Sequence, residues 1–170
     1  MRKNRAMHLV LGIAVAAVSA MALSAEAGSK GESGLATPTI LGTGDTSQKD
    51  QIMAVLNKQV EAWNRRDLEA FMQGYWHSQE LTFYSGASPL SGWQSTLDRY
   101  RLRYQSEGHE MGHLDFSDLQ IESLGRDAAF VRGKWHLKMA SSEPGGLFTL
   151  IFRRFSEGWK IVHDHTSSAS

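Results

Sequence analysis

The sequence has 170 residues, with 18 basic and 18 acidic side chains and no cysteine. Balanced charge without a basic patch argues against a nucleic-acid-binding protein and against a polybasic membrane-surface protein. Because disulfides and thiol chemistry are excluded, the fold must be stabilised by its own hydrophobic core, which a chain of this length can form.

The N-terminal segment has the pattern of a signal peptide. A positively charged start, MRKNR, precedes an uncharged apolar run from Leu9 to Leu23, and AEA at 25–27 matches a signal-peptidase site. The apolar run is shorter than the roughly 20 residues that a membrane-spanning helix needs. We therefore expect residues 1–27 to be removed, and the mature protein to be exported, periplasmic or secreted, with no membrane segment.

The next segment, residues 28–47, is predicted to be a flexible linker. Gly, Ser and Thr dominate the stretch GSKGESGLATPTILGTGDTS, which shows little hydrophobic periodicity. From residue 48 to residue 170 the sequence contains no internal repeat and indicates one domain.

Three helices and a short strand are predicted in the first half of this domain. The first helix begins near Ser47 and carries apolar residues at helical spacing: Ile52, Val55, Leu56, Val60 and Trp63. Asp67 can cap a short second helix, and a short strand follows from Leu81 to Tyr84, ended by Gly86 and Pro89. The third helix, from Trp93 to Gln105, carries arginines 99, 101 and 103 on a face that we interpret as solvated.

The second half of the domain changes to the period of two that is typical of strands. The predicted strands are His113–Leu124, Ala128–Ala140, Leu147–Phe155 and Trp159–Thr166, joined by tight turns. Helices followed by a run of strands predict an α+β fold, in which helices pack on one face of a curved antiparallel sheet.

Four stretches of the domain form a recognisable set: AWNRRDLEAFMQGY, ELTFYSG, GWQSTLDRY and GLFTLIFRRFSEGWKIVHDHTS. Together they resemble the nuclear-transport-factor-2-like superfamily, especially its SnoaL-like and ketosteroid-isomerase-like bacterial members. The ending is also similar to the association domain of calcium/calmodulin-dependent kinase. The resemblance, from about Gln48 to Ser167, implies a cone-shaped curved antiparallel sheet with N-terminal helices closing a pocket. It also implies a homodimer through the outer face of the sheet, but it does not fix a function.

Two sites known in the superfamily are not implied here. Ketosteroid isomerases combine a carboxylate base with a tyrosine and a protonated aspartate, whereas Trp63 stands where the helix-borne tyrosine is expected. The arginines of the kinase association pocket correspond to Trp135, Leu150 and Thr166. The resemblance therefore supports neither steroid isomerisation nor a pocket for an anionic ligand.

Strand alternation divides the stretch IVHDHTS near the C-terminus. It places Val162, Asp164 and Thr166 on one face, and it places the remaining residues on the other: Trp159, Ile161, His163 and His165. The resemblance implies that the face with Asp164 looks into the pocket. We expect the pocket to bind a small hydrophobic molecule through the following residues: Trp63, Tyr100, Tyr104, Trp135, Phe148, Leu150, Val162 and Thr166.

Asp164 is the candidate catalytic residue. Burial in an apolar pocket raises the pKa of a carboxyl group, which suits a general acid or base. Alternatively, Asp164 only accepts hydrogen bonds from its neighbours and fixes the strand. Two hypotheses follow, both without a cofactor: an exported small-molecule-binding or oligomerisation domain, or an isomerase, dehydratase or cyclase in which Asp164 is the general base.

Two histidine patterns suggest metal binding, but each has a simpler explanation. His163 and His165 lie on one strand face without a third ligand, which favours hydrogen bonding at a dimer interface. HEMGH at 109–113 spells the HExxH pattern of zinc proteases, a remote third hypothesis that requires both histidines on one helix face. Because Gly108 and Gly112 are unfavourable in a helix, we interpret this motif as a loop and predict no metal site.

Overall fold

The computed structural model describes residues 43–169, so the predicted signal peptide and most of the predicted linker lie outside the described residues. The helices are α1 (Thr43–Asn64), α2 (Leu68–Met72) and α3 (Trp93–Tyr104). The strands are β1 (Thr82–Ser85), β2 (Ser88–Ser91), β3 (His113–Ser123), β4 (Ala128–Lys138), β5 (Gly145–Phe155) and β6 (Gly158–Thr166). The predicted α+β class is confirmed, and the predicted helices and strands occur in the predicted order, with one additional strand, β2. In residues 43–169, no helix has the length and apolar character needed to cross a membrane.

The boundaries differ from the prediction in two places. Helix α1 begins at Thr43, so the last residues of the predicted linker belong to the helix. Strand β2 is absent from the prediction, because Gly86 and Pro89 predict the end of the preceding strand. β2 lies at the edge of the sheet, where a proline without an N–H group is tolerated.

The strands form one sheet in the order β2-β1-β6-β5-β4-β3. Neighbouring strands from β3 to β6 are antiparallel, as predicted, whereas β1 pairs with β6 in parallel. This parallel pairing makes β6 an inner strand, with Phe83 beside Asp164 on one side and Leu150 beside it on the other. The central position of β6 buries the Asp164 side chain, which is 5% exposed.

A β-bulge interrupts the regular alternation of β6. Ile151 pairs with His163, and the next residue of β5, Phe152, pairs with Ile161, so Val162 is the extra residue. As a result, Ile161 and Trp159 are buried in the core. Their predicted position on the outer face was wrong, because the bulge shifts the alternation by one residue.

The helices are attached to the sheet by specific polar contacts in addition to apolar packing. The Asn64 amide at the end of α1 donates to the Leu114 carbonyl oxygen at 3.1 Å and accepts from the Leu114 N–H at 2.8 Å. The Asp67 carboxylate accepts a hydrogen bond from the Ala70 N–H, which confirms its predicted role as the cap of α2. The chain after α2 joins the sheet through a parallel bridge between Tyr75 and Ile161.

Candidate functional site

A cavity of about 590 Å³ lies between the sheet and the helices. Its volume falls in the range that holds small organic ligands, roughly 300–1,000 Å³. Its walls include most of the residues that we predicted to bind a ligand: Trp63, Tyr100, Tyr104, Trp135, Phe148, Leu150 and Thr166. We call the buried end around Asp164 the floor of the cavity and the solvent-exposed end the mouth.

Val162 is the exception among the predicted ligand-binding residues. It is half-buried and does not line the cavity. The strict alternation that grouped Val162 with Asp164 fails because Val162 is the extra residue of the bulge in β6. The prediction that Val162 faces the pocket was therefore wrong.

The floor is built around the carboxyl group of Asp164. The Tyr75 hydroxyl donates a hydrogen bond of 2.7 Å to Oδ2 of Asp164, and both residues are buried. The other oxygen, Oδ1, has no hydrogen-bond partner among the described residues. A buried carboxyl oxygen without a partner is costly, and a ligand in the cavity that Asp164 lines can supply one.

Burial determines the protonation of the groups at the floor. Loss of hydration raises the pKa of Asp164 to about 7, and the hydrogen bond from Tyr75 partly offsets this rise. Burial, followed by the charge of Asp164, raises the pKa of Tyr75 and of Tyr100 well above the ordinary value. Near neutral pH, both tyrosines therefore remain hydrogen-bond donors, while Asp164 exchanges between its neutral and ionised forms.

Gln59 adds a second buried polar group to the cavity wall. Its Nε2 donates to the Phe71 carbonyl oxygen at 3.2 Å, and its Oε1 has no partner among the described residues. The side chain is 1% exposed, so bulk water does not compensate for this missing bond. Together, Oε1 of Gln59 and Oδ1 of Asp164 give the cavity two buried acceptor atoms that are available to a ligand.

Neither Tyr75 nor Gln59 was among the residues predicted from the sequence. Tyr75 follows α2 in an irregular segment and reaches Asp164 only because it bridges to Ile161, so local periodicity contains no signal for it. Gln59 did carry a signal, because it interrupts the apolar face of α1 formed by Ile52, Leu56 and Trp63. A polar residue on a buried helix face is a reason to expect a specific partner.

Charged residues line the mouth of the cavity. Arg99 and Arg103 of α3 belong to the cavity wall, together with His109 and Glu110 of the loop before β3. Arg103 is exposed, in agreement with the interpretation of the α3 arginines as a solvated face, and Arg99 is half-buried, but both side chains also border the cavity. Only Arg101 lies away from the cavity, where it forms ion pairs with Glu69 and Asp98.

The HEMGH motif lies in the loop between α3 and β3, as predicted, and not in a helix. Gly108 and Gly112 have φ angles of 78° and 68°, which are incompatible with a right-handed helix. The Glu110 carboxylate accepts hydrogen bonds from the Ala140 N–H instead of facing a metal position. This geometry contradicts the zinc-protease hypothesis, and residues 43–169 contain no cluster of three potential metal ligands.

His163 and His165 lie on the outer face of the sheet, as the alternation predicted. Nδ1 of His163 and Oγ1 of Thr82 are hydrogen-bonded at 2.7 Å, and the Tyr84 ring packs edge-on against both imidazoles. Burial, followed by the charge of His165, lowers the pKa of His163. These contacts account for the two histidines without a metal.

An α+β fold with a cone-shaped curved sheet, an internal cavity and a buried acid defines a class of domains that bind or transform small molecules. The family model described as SnoaL-like domain matches residues 52–170, and the chain belongs to this family within the nuclear-transport-factor-2-like superfamily. None of the curated proteins compared with the chain matches it.

Solved structures are similar to the chain over the same region. A nuclear-transport-factor-2-like protein of unknown function from Shewanella oneidensis MR-1 is 39% identical, with a TM-score of 0.66, and the match covers 70% of this chain and 98% of that one. A ketosteroid isomerase-like protein from Erwinia carotovora atroseptica is 18% identical, with a TM-score of 0.58 and coverages of 71% and 95%. A putative calcium/calmodulin-dependent protein kinase type II association domain from Thiobacillus denitrificans is 20% identical, with a TM-score of 0.59 and coverages of 69% and 94%. The last two show the fold alone.

The raised pKa of Asp164 predicts a specific dependence of stability on pH. Because the folded state disfavours the ionised carboxyl, stability is lost as pH rises from about 4, where the unfolded group titrates, to about 7. The shift of about three pKa units corresponds to about 4 kcal/mol. We expect Asp164→Asn to remove this loss, measured as the free energy of urea unfolding at several pH values relative to the unmodified protein.

Tyr75→Phe tests the same carboxyl group in a different way, because it keeps the titrating group and removes an interaction that lowers its pKa. Removing the hydrogen bond from Tyr75 to the carboxyl should raise the pKa of Asp164 further, measured by carbon-detected NMR of the carboxyl carbon. Tyr84→Phe, on the outer face, is the matched control and should leave the titration unchanged. Parallel stability curves for the unmodified protein and Asp164→Asn would contradict the assignment of a buried, titrating Asp164.

Proposed function

We propose that this domain binds an apolar, carbonyl-containing small molecule and transfers a proton on it without a cofactor, as an isomerase, dehydratase or cyclase does. Asp164 is the general acid and base. The observation that supports this proposal is the state of its carboxyl group. One oxygen is held by Tyr75, the other has no partner among the described residues, and the pKa is about 7.

The carboxyl group is suited to proton transfer near neutral pH. A general base is most effective when its pKa lies near the working pH, because it is then substantially ionised and still basic enough to accept a proton. The hydrogen bond from Tyr75 to Oδ2 fixes the orientation of the group. Its unpartnered Oδ1 is consequently the atom that would exchange the proton with the substrate.

The cavity also supplies a donor for the charge that develops in such a reaction. Ionised Asp164 takes a proton from a carbon next to the substrate carbonyl, and the electron pair of that C–H bond moves toward the carbonyl oxygen. Tyr100 lines the cavity and stays protonated, so its hydroxyl can donate to this oxygen. Protonated Asp164 then returns the proton to another carbon, which completes an isomerisation.

Non-catalytic binding is the second candidate, and one observation favours it. Among the residues that line the cavity, Glu110 is the only carboxylate besides Asp164, and it is bonded to the Ala140 N–H at the mouth. The floor therefore presents one acid and no second base. A binding domain would use the same Asp164 and Gln59 oxygens to orient its ligand.

Hydrogen–deuterium exchange of β-tetralone separates these candidates. This apolar bicyclic ketone has acidic protons next to its carbonyl, and their replacement in heavy water is followed by proton NMR. We expect the protein to accelerate exchange above the buffer rate and Asp164→Asn to reduce the acceleration by about 100-fold or more, the usual contribution of a general base. Asp127→Asn, an exposed substitution in the turn before β4, is the matched control and should retain full activity.

The indole N–H signals of the tryptophans report binding in the same experiment. Trp63 and Trp135 line the cavity, whereas Trp76 and Trp159 do not. Shifts confined to the first pair, without accelerated exchange, would contradict catalysis and support the binding function. No shift and no exchange would contradict both candidates.

We further propose that the protein is exported. The positively charged start, the apolar run and the AEA sequence at 25–27 support export. The mature protein recovered from the producing cells should begin at Gly28, or at Glu26 if cleavage follows Ala25, as measured by N-terminal sequencing. An N-terminus at Met1 in the functional protein would contradict export by this route.

We also propose a homodimer that forms through the outer face of the sheet. Leu147 and Tyr84 are 59% and 38% exposed there, which is consistent with a covered surface in the assembly. Leu147→Glu should convert the dimer to a monomer in sedimentation velocity. Leu124→Glu is the matched control, because Leu124 is 56% exposed but follows β3 at the turn. A monomeric unmodified protein would contradict the proposal.

A further inference from the structure

We propose that the ligand of this cavity is an amphipathic anion whose negative group is bound by Arg99 and Arg103 at the mouth, while its apolar body fills the cavity. This inference rests on the proposed function in one respect only, namely that the cavity binds a small molecule. It refines the predicted hydrophobic ligand and does not depend on catalysis.

The two arginines belong to one face of one helix. They are four residues apart on α3, a spacing that places side chains next to each other, and both line the cavity. Arg101 lies between them in sequence but on the opposite face, where it pairs with Glu69 and Asp98. On α3, Arg101 is therefore paired with carboxylates, whereas Arg99 and Arg103 face the cavity.

Neither cavity-facing guanidinium has a carboxylate within salt-bridge distance among the described residues. Each lies instead against an aromatic ring of the cavity wall. The Cζ atom of Arg99 is 5.7 Å from the centre of the Phe83 ring, and that of Arg103 is 5.7 Å from the centre of the Tyr104 ring. Such stacking limits the motion of a guanidinium and leaves its N–H donors at the ring edge free for an anion.

The remaining charged groups at the mouth do not cancel this positive charge. Glu110 is the one carboxylate among the lining residues there, and the Ala140 N–H occupies its oxygens at 3.2 and 3.1 Å. Nδ1 of His109 lies 2.9 Å from Oγ of Ser106 and 3.2 Å from the Glu107 carbonyl oxygen. The mouth therefore has two arginines for one carboxylate, which is already hydrogen-bonded.

The mouth is a more favourable place for the negative group than the floor. An anion beside Asp164 would be repelled by the ionised carboxyl group and would require Asp164 to be protonated, whereas the two arginines offer N–H donors without this requirement. Phe83 connects the two ends, because it lies beside Asp164 in the sheet and beneath Arg99 at the mouth.

Two fluorescent probes with the same apolar body test this inference. Anilinonaphthalene sulfonate carries one negative charge, and N-phenylnaphthylamine is its uncharged counterpart. We expect the unmodified protein to bind the sulfonate more tightly, with an affinity that falls as salt is added. The double variant Arg99→Gln/Arg103→Gln should lose about tenfold in affinity for the sulfonate and keep its affinity for the uncharged probe.

The matched control is Arg126→Gln/Arg154→Gln, which changes the net charge equally at two exposed positions outside the cavity. It should bind both probes as the unmodified protein does. Shifts of the Trp63 and Trp135 indole signals, without shifts at Trp76 and Trp159, show that a probe occupies the cavity.

The outcomes that overturn the inference are distinct from failure of the proposed function. If the uncharged probe binds in the cavity and the sulfonate binds no more tightly, the anion site is wrong and the binding function stands. The same conclusion follows if the two double variants weaken binding of the sulfonate equally. If neither probe enters the cavity of the unmodified protein, the inference and the binding function are both wrong. Loss of β-tetralone exchange alone concerns catalysis and leaves the anion site intact.

Discussion

The burial of one carboxyl group, that of Asp164, is the constraint on which the rest of the site depends. The group is shielded from bulk solvent because β6 lies inside the sheet, between β1 and β5, and its side chain is only 5% exposed. A buried carboxylate with a single hydrogen bond is unfavourable, so the fold accommodates Asp164 by raising its pKa to about 7. The same burial keeps Tyr75 and Tyr100 protonated.

The bulge at Val162 positions this group, and it shows where sequence reasoning stops. The period of two correctly separated Asp164 from His163 and His165, because the three residues follow the bulge and alternate regularly. It failed for Ile161, which precedes the bulge and is buried. One extra residue reverses the alternation, and no composition or spacing in β6 marks its position.

The apolar walls of the cavity and its buried acid could be predicted, whereas Tyr75 and the arginines at the mouth could not. Strand residues such as Phe148 and Leu150 follow from alternation and the implied fold. Tyr75 and Arg99 reach the cavity through the placement of a loop and a helix relative to the sheet, which local periodicity does not encode. The resemblance supplied the architecture, but the positions it compared with arginine-lined pockets lie on strands, and the arginines found here lie on α3.

The cavity is polar at both ends and apolar between them, and its two ends respond differently to a ligand. The arginines at the mouth select a ligand by its charge. Asp164 has no fixed charge near neutral pH. An apolar ligand that excludes more water favours its neutral form, whereas a ligand that donates a hydrogen bond to Oδ1 favours its ionised form. The ligand therefore determines whether Asp164 donates or accepts a proton, which explains how one floor can serve a binding domain or an enzyme.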